Sequence, residues 1–477
     1  MKIALLDDGI ELSHCPGLNL CADLIVDPTG HIRTRTMDEK IYTDHGTTCA
    51  QIIHSYVPDA ELCSLQIFSG GTLRADLRQL LAALGWCIDN HIPLVHLSAG
   101  STKLSDYSQI REIVYRMLSG GQFLVAAQSN HPDRYTLPAC LNGVFGVTAD
   151  PTLSDLSYRI DEYSSPGGAK IYASSSHKLN DCESNSYKTQ ITNSYAAPTI
   201  TARLYQILDE KEGKTDTLYG IYSKLVGKRK VSLHSMYPDF LVSAIVFDPQ
   251  NTLILQECLD FTPLYILNDY SIFFRKVCEH PTAPVLLIPP IPSETVFLRK
   301  LCSLSQNRLG VAYAGHCQAL SSFPCLTWHE GDRDVLFSKL PLYNQFCFKT
   351  PVVQIESCND DAIKFICQLR KMLVADGIES LMVSDISKSY LYGIEYLPKE
   401  RNFLSLLTHF SHIYQPDIVV CAFSKLKCDR KNGALHVNLT NDCTHFKGIS
   451  ENTILFPCMP KEDDWHLLLK FLFDHDF

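Results

Sequence analysis

Short apolar runs alternate with helical spacing along the first 200 residues. Ile3–Leu6 is a continuous apolar run that begins at the third residue, and it predicts a strand buried on both faces. Leu62–Phe68, Ile92–Ser98, Phe123–Ala127 and Val144–Thr148 predict four more strands. Between them, Leu77–Asn90 and Gln109–Leu118 carry apolar residues at helical spacing, the second stopping at Gly120-Gly121. Alternation of this kind predicts an α/β fold with a parallel sheet and helices on both faces, over 1–210.

The pattern changes from about Asp209 to Val231. Glu210-Lys211-Glu212-Gly213-Lys214 and Gly227-Lys228-Arg229-Lys230 are charged and carry glycine, which marks 211–235 as a linker. Lys228–Lys230 is read as a solvated face, because three charges do not make a binding stripe. Beyond it, Leu241–Phe247, Pro284–Ile288 and Leu309–Tyr313 predict the buried strands of a second α/β domain, 236–349, whose role the sequence leaves open.

A third α/β domain, 350–477, starts near Thr350. Pro351–Ile355 predicts a strand, and Asp361–Leu373 a helix with Ile363, Ile366, Leu369 and Leu373 on one face. Asp376-Gly377 marks a turn, and Leu381–Ser384 and Asp417–Phe423 predict strands. Strand, loop and helix have the shape of a phosphate-binding unit, but the loop from Glu356 to Asp361 has no glycine and no Gly-Lys-Ser/Thr. Carboxylates at Glu356, Asp360 and Asp361 would repel phosphate. The domain therefore resembles a degenerate P-loop-type fold without ATP chemistry, suited to substrate or partner recognition. His409 and His412, at i and i+3 of an amphipathic segment, are read as packing residues rather than metal ligands.

Composition narrows the class. The chain has 477 residues, which predicts two or three domains. Lys+Arg is 42 and Asp+Glu is 52, a net charge of −10, which argues against nucleic-acid or membrane-surface binding. Nineteen cysteines, an odd number with no Cys-x-x-Cys pair, read as reduced thiols and not as a disulfide or zinc framework. Ile3–Leu6 is too short for a secretory h-region, and no apolar run approaches the ~18 residues of a membrane span. A cytoplasmic protein is expected.

Three segments carry the candidate chemistry. They are Leu5-Leu6-Asp7-Asp8-Gly9-Ile10, Asp44-His45-Gly46-Thr47-Thr48-Cys49-Ala50 and Thr192-Asn193-Ser194-Tyr195-Ala196-Ala197-Pro198. Each is weak alone. Together they supply Asp, His and Ser in the chain order of subtilisin, distinct from that of chymotrypsin and the α/β-hydrolases. The first 208 residues or so resemble the catalytic domain of the subtilisin-like serine proteases, the subtilases. Leu94–Gly100 is similar to the family's strand ending in a Ser-x-Gly substrate-binding segment, here Ser98, Ala99 and Gly100. Phe123–Asn130 resembles the strand that leads to the oxyanion-hole asparagine, here Asn130. Pro138-Ala139 with Val144–Ala149 resembles the next strand, and Tyr163–Gly167 the family's Phe-Ser-Ser-x-Gly.

The resemblance implies a three-layer subtilisin-like sheet and named roles. Ser194 is the nucleophile at a helix start, His45 the general base, Asp7 its orienting carboxylate, and Asn130 an oxyanion donor. His54 and His96 lack the His-Gly-Thr context and are read as core or surface residues. Cys49, one turn after His45, is read as a small packed residue rather than a redox-sensitive thiol. Asp8 stands where the family usually has Ser or Thr, as in its kexin-like branch. Asn193 and Tyr195 replace the family's Thr and Met and are expected to crowd the nucleophile turn. No acidic loop matching the family's calcium sites is visible, and no metal or cofactor is assigned.

The first strand starts at Ile3, so an enzyme without an N-terminal prodomain, with trimmed loops and narrow specificity, is expected. The function implied is a cytoplasmic serine endopeptidase acting on a specific peptide or protein. Its narrower form is leader-peptide removal in a modified-peptide pathway, with a maturation-pathway enzyme as a further partner. The alternative is a catalytically impaired subtilase that serves as a peptide-binding or scaffold protein.

Overall fold

The computed structural model describes the chain except residues 37, 40, 42, 69–72, 132–133, 161–170, 181–185, 211–216, 228–232, 235–236, 254, 292, 341–349, 357–359, 398–402, 424–434, 441–446, 451–452, 458–459 and 475–477. Tyr163–Gly167, Lys228–Lys230 and most of the loop after Glu356 lie outside the described residues. The chain divides into two compact units: 1–102, 106–249 and 265–336 form one, and 103–105, 250–264 and 337–477 the other.

The first unit opens with β1 (Lys2–Asp7), β2 (Asn19–Val26), β3 (Ile32–Thr34) and α1 (His45–Tyr56). β4 (Glu61–Gln66), α2 (Leu77–Asp89), β5 (Leu94–Leu97), α3 (Tyr107–Ser119) and β6 (Phe123–Ala127) follow. β7 (Phe145–Ala149), β8 (Tyr158–Ile160), β9 (Ile171–Ala173), α4 (Asn193–Asp209) and α5 (Leu218–Val226) complete it. The strands form one nine-stranded sheet in the order β3-β2-β4-β1-β5-β6-β7-β9-β8. All neighbours are parallel except the two edge strands, β3 against β2 and β8 against β9.

β1 lies where the strand order reverses, with β4 on one side and β5 on the other. In open α/β sheets the crevice beyond the carboxyl ends at such a point is where ligands bind. The strand earns this central position by its apolar run. Ile3, Ala4, Leu5 and Leu6 are all buried, and each large side chain contributes roughly 1.5–3 kcal/mol on leaving water. α1 and α4 pack on each other, with α1 against β1 and α4 against β5, β6 and β7. α2 and α3 pack together against β2 and β6, completing the three-layer α/β arrangement that the sequence predicts. α5, inside the 211–235 stretch, buries Ile221 and Leu225 and stacks Tyr222 on Phe145 at 5.1 Å.

A second sheet follows, parallel in the pairings among its first five strands. Its strands in spatial order are Leu233–His234, Leu326–His329, Gly310–Tyr313, Val285–Leu287, Ser243–Phe247 and Thr262–Leu267. Phe247 sits 4.9 Å from Phe273 and 5.0 Å from Phe297 in its core. Buried Asp239 ties this sheet to the first, accepting from the Asn142 amide nitrogen at 3.0 Å and from Asn142 Nδ2 at 2.6 Å.

The second unit is built on a seven-stranded sheet with Val352–Glu356 in the middle, between Ile418–Phe423 and Leu435–Thr440. Phe365, Phe456 and Trp465 meet in its core, with ring centroids 4.9–5.1 Å apart. The chain thus continues beyond the subtilisin-like sheet into further α/β structure. Among the described residues, no helix is long and apolar enough to cross a membrane.

Candidate active site

The candidate residues converge at the carboxyl edge of the first sheet. Asp7 is the last residue of β1, Ser98 follows β5, and Asn130 follows β6. His45 and Ser194 stand in the first turns of α1 and α4.

The turn after β1 is shaped by close approach of α1. Gly9 has φ +104°, a conformation side chains rarely adopt. A Cβ on Gly46 would lie 2.5 Å from the Gly9 carbonyl oxygen and 2.8 Å from Asp8 Oδ1, so only glycine lets the helix start dock there. The docked Gly46 amide donates to Asp8 Oδ1 at 2.7 Å. Docking sets His45 against Asp7, with Nδ1 2.7 Å from Asp7 Oδ1. Asp7 Oδ1 also accepts the Asp8 amide at 2.9 Å, while the buried Oδ2 has no hydrogen-bond partner among the described residues.

Electrostatics follow from this crowding. Burial and the neighbouring Asp7 carboxylate push Asp8 up to about 6, against its bonds to Thr43 and Gly46. Burial works against charging His45, but the Asp7 carboxylate outweighs it and holds the imidazole above its ordinary pKa. This favours the imidazolium that a general base becomes during turnover.

Thr192 caps α4, its Oγ1 accepting the Tyr195 amide at 3.3 Å. Asn193, the first helical residue, is buried and fully engaged. Its Oδ1 accepts the Ala149 amide at 2.8 Å, and its Nδ2 donates to the carbonyls of Gln128 at 3.2 Å and Ser129 at 2.8 Å. The Asn193 amide in turn donates to Asn130 Oδ1 at 2.9 Å. Asn130 is exposed, and its oxygen, not its Nδ2–H groups, is engaged by Asn193. The Ser194 amide has no hydrogen-bond partner among the described residues. An unpaired N–H at a helix N-terminus and an asparagine amide bonded to the same turn are the kinds of donor an oxyanion hole uses.

Ser194 is half-buried, and its Oγ donates to the Ser98 carbonyl at 3.4 Å. Among the described residues its hydroxyl makes no hydrogen bond to His45. Ser98 Oγ and Cys49 Sγ both reach the Ser194 carbonyl, at 3.4 and 3.7 Å. Ala99 is half-buried and Gly100 exposed at the mouth of the site. A Cβ on Gly100 would meet the Leu137 carbonyl oxygen at 2.7 Å.

The remaining candidates take structural positions. His96 is fully buried between Thr201 Oγ1 (2.8 Å) and Ser98 Oγ (2.7 Å), and burial lowers its pKa to about 4. His54 lies roughly two and a half turns along α1 from His45. The Cys49 thiol is fully buried, and burial pushes it well above its ordinary pKa, which makes it an inert thiol rather than a reactive thiolate. His409 is buried against Phe410 and His412 is exposed, so the two do not converge. No disulfide joins the thirteen described cysteines to one another.

Asp7, His45 and Cys49 are the one described group whose atoms lie close enough together to hold a metal. The His45 Nδ1 and Asp7 Oδ1 atoms are already hydrogen-bonded to each other.

Two residues escape the sequence reading. Tyr195 does not crowd the turn: its ring stacks on His45, with centroids 5.4 Å apart and planes at 29°. Buried His177 sits behind it, Nε2 3.1 Å from the Tyr195 carbonyl oxygen and Nδ1 2.9 Å from the Tyr56 hydroxyl. Tyr195 stood out only as a departure from a motif, and His177 gave no signal at all.

A carboxylate–imidazole pair beside a serine at a helix N-terminus has the composition of a nucleophilic hydrolase site. Residues 1–219 match the model of the subtilase family, and this N-terminal part of the chain is a subtilase-family domain. No curated protein matches the chain. Solved structures similar to it include a lanthipeptide protease, at 14% identity and TM-score 0.37, covering 46% of this chain and 78% of that one. Fervidolysin from Fervidobacterium pennivorans, a keratinolytic enzyme related to subtilisin, is 16% identical with TM-score 0.36, covering 46% of this chain and 37% of its own. The epidermin leader peptide processing serine protease of Staphylococcus aureus is 15% identical with TM-score 0.35, covering 44% of this chain and 66% of its own. This chain therefore spans about a third of the length of fervidolysin and just under two thirds of that of the epidermin protease.

Proposed function

We propose that the chain is a serine endopeptidase in which Ser194 attacks the peptide carbonyl. His45 takes the serine proton and returns it to the leaving amine, and Asp7 holds the imidazole by Nδ1. Asn130 Nδ2 and the Ser194 amide receive the developing oxyanion. The observation that carries this reading is the 2.7 Å Asp7–His45 contact at the sheet edge that also carries Ser194, within a subtilase-family domain. The substrate strand would lie along Ser98, Ala99 and Gly100.

The substrate is a specific peptide or protein of the same compartment, which we take to be the cytoplasm. Removal of a leader from a modified-peptide precursor, with a maturation enzyme as partner, is the narrower form, and it rests on resemblance to such proteases alone. We assign the protease to 1–210, with 236–349 as a second domain after the 211–235 stretch. Recognition of substrate or partner falls to 350–477, where a cavity of about 320 Å³ is lined by Lys364, Phe365, Gln368, Lys371 and Trp465.

The test is labelling with a fluorophosphonate probe. Wild type labels and Ser194→Ala does not. Equal labelling of the two, or of neither, overturns the triad. Failure of both to label, with Ser194→Ala keeping the cellular phenotype, favours a peptide-binding scaffold. Incubation with precursor peptides encoded beside the gene, read by mass spectrometry, tests leader removal.

A further inference from the structure

We propose that Tyr195 is a positioning residue for His45, its ring face holding the imidazole in line with Asp7 and favouring the cationic imidazolium. The inference deepens the serine-protease reading and rests on it for calling His45 a base.

The geometry fixes both partners. The imidazole is pinned at one edge by Asp7 Oδ1 at 2.7 Å and covered on one face by the Tyr195 ring, centroids 5.4 Å apart. Tyr195 is itself held at both backbone ends. Its amide donates to Thr192 Oγ1 at 3.3 Å. Its carbonyl faces His177 Nε2 at 3.1 Å, and that nitrogen also meets the Ser174 carbonyl at 3.2 Å. Two carbonyls at Nε2 require its N–H there, so Nδ1 accepts from the Tyr56 hydroxyl at 2.9 Å. The ring that meets His45 is thus backed by the strut Tyr56–His177–Tyr195.

An aromatic face is the negative end of a quadrupole, and it attracts a cation stacked on it. Burial pushes the Tyr195 phenol up to about 12, so the face offered is a neutral ring and not a phenolate. The other groups around His45 are Asp7 and Asp8 from the end of β1, Asp44 just before α1, the Cys49 thiol from α1 and buried His96 from β5. The two buried carboxylates favour the cation. The stacked ring face adds to them, which an aliphatic or thioether side chain would not do.

The test is an NMR titration of the His45 ring in the full chain, with ring-labelled histidine and His45→Gln for assignment. It compares wild type with Tyr195→Phe, Tyr195→Leu and Tyr195→Met, each checked for folding by thermal unfolding. Two non-aromatic variants guard against one failing to fold. The expected result is that Phe keeps the His45 midpoint while Leu and Met lower it by about half a pH unit. The acid limb of fluorophosphonate labelling shifts with it. A midpoint unchanged or raised in Leu and Met, or lowered as much in Phe, overturns the proposal. The titration needs no turnover, so an unlabelled wild type would defeat the protease reading while the stack is still decided by NMR.

Discussion

The carbonyl oxygen of Ser194 lacks the usual i+4 helical hydrogen bond, because the residue four positions on is Pro198, which has no N–H. Side chains from two other elements reach it instead: Ser98 Oγ at 3.4 Å and Cys49 Sγ at 3.7 Å. Behind Ser98 stands His96, held in turn by Thr201 on the same helix as Ser194. The nucleophile turn is therefore braced from β5 and α1 by a buried polar chain, and its members are coupled.

Ser98→Ala removes the hydroxyl from that chain and leaves buried His96 Nε2 short of a partner. The expected cost is about 1–3 kcal/mol, the penalty for an unsatisfied buried polar group. Urea unfolding measures it. Slower probe labelling should accompany the loss, because the Ser194 carbonyl is then held by Cys49 alone. An unchanged unfolding midpoint would show that the brace does not act.

Gly46→Ala tests the docking of α1. The added methyl would overlap the Gly9 carbonyl oxygen and Asp8 Oδ1, so the helix start must withdraw. Withdrawal breaks the Gly46–Asp8 bond and lengthens the Asp7–His45 contact. A loss of at least about 2 kcal/mol is expected, from strain and a lost charge-assisted bond together. Probe labelling should fall to background while far-ultraviolet circular dichroism stays native-like.

The fold was legible in the sequence where one residue type is required, and obscure where position depends on neighbours. The strands around β1 announce themselves because burial on both faces demands continuous apolar runs, as in Ile3–Leu6 and Phe123–Ala127. β2, half-buried and carrying Asn19 and Asp23, has no such run, and edge strands β3 and β8 are three residues each. Leu326–His329 is wholly buried, yet its alternation of apolar with Thr and His over four residues gave no strand signal. Gly46 beside His45 was readable because helix docking excludes every other side chain. Asn193 and Tyr195 were expected to crowd the turn. Crowding was inferred from size alone, whereas Asn193 fills its hydrogen bonds with Ala149, Gln128 and Ser129, and Tyr195 turns its ring onto His45.

Asp8 links stability to pH. Its carboxyl is raised from 3.8 to about 6 in the folded chain, chiefly by burial and next by Asp7. A carboxyl raised on folding binds its proton more tightly in the folded state, so stability falls as pH rises from about 4 to about 6 and stays low above. Asp8→Asn keeps an acceptor for the Gly46 amide and carries no charge. It should be more stable than wild type at pH 7.5, and the gap should close as pH falls through this window. Urea midpoints at pH 7.5, 5 and 4 test this. A gap that is constant with pH would refute the linkage. The His45 titration should also drop in this variant, because Asp8 is one of the carboxylates that raise it.

Asn130 and Asn193 separate chemistry from scaffolding. Asn130 is exposed and gives the fold one bond, from the Asn193 amide at 2.9 Å. Asn130→Ala should therefore cost little stability, and it should slow probe labelling by about 10²–10³, the usual effect of losing one oxyanion donor. Asn130→Asp keeps the oxygen that accepts from Asn193 but has no N–H to offer and adds negative charge where the oxyanion forms. Its labelling should fall at least as far, with stability closer to wild type. Asn193→Ala removes three hydrogen bonds at once, the one to the Gln128 carbonyl fully buried. It should cost about 2–3 kcal/mol and also slow labelling, because the 128–130 loop that carries Asn130 loses its anchor. Second-order labelling rates and urea midpoints, measured together, distinguish the two positions. A stable, slow Asn193→Ala, or an Asn130→Ala that labels at the wild-type rate, would assign the oxyanion donor elsewhere.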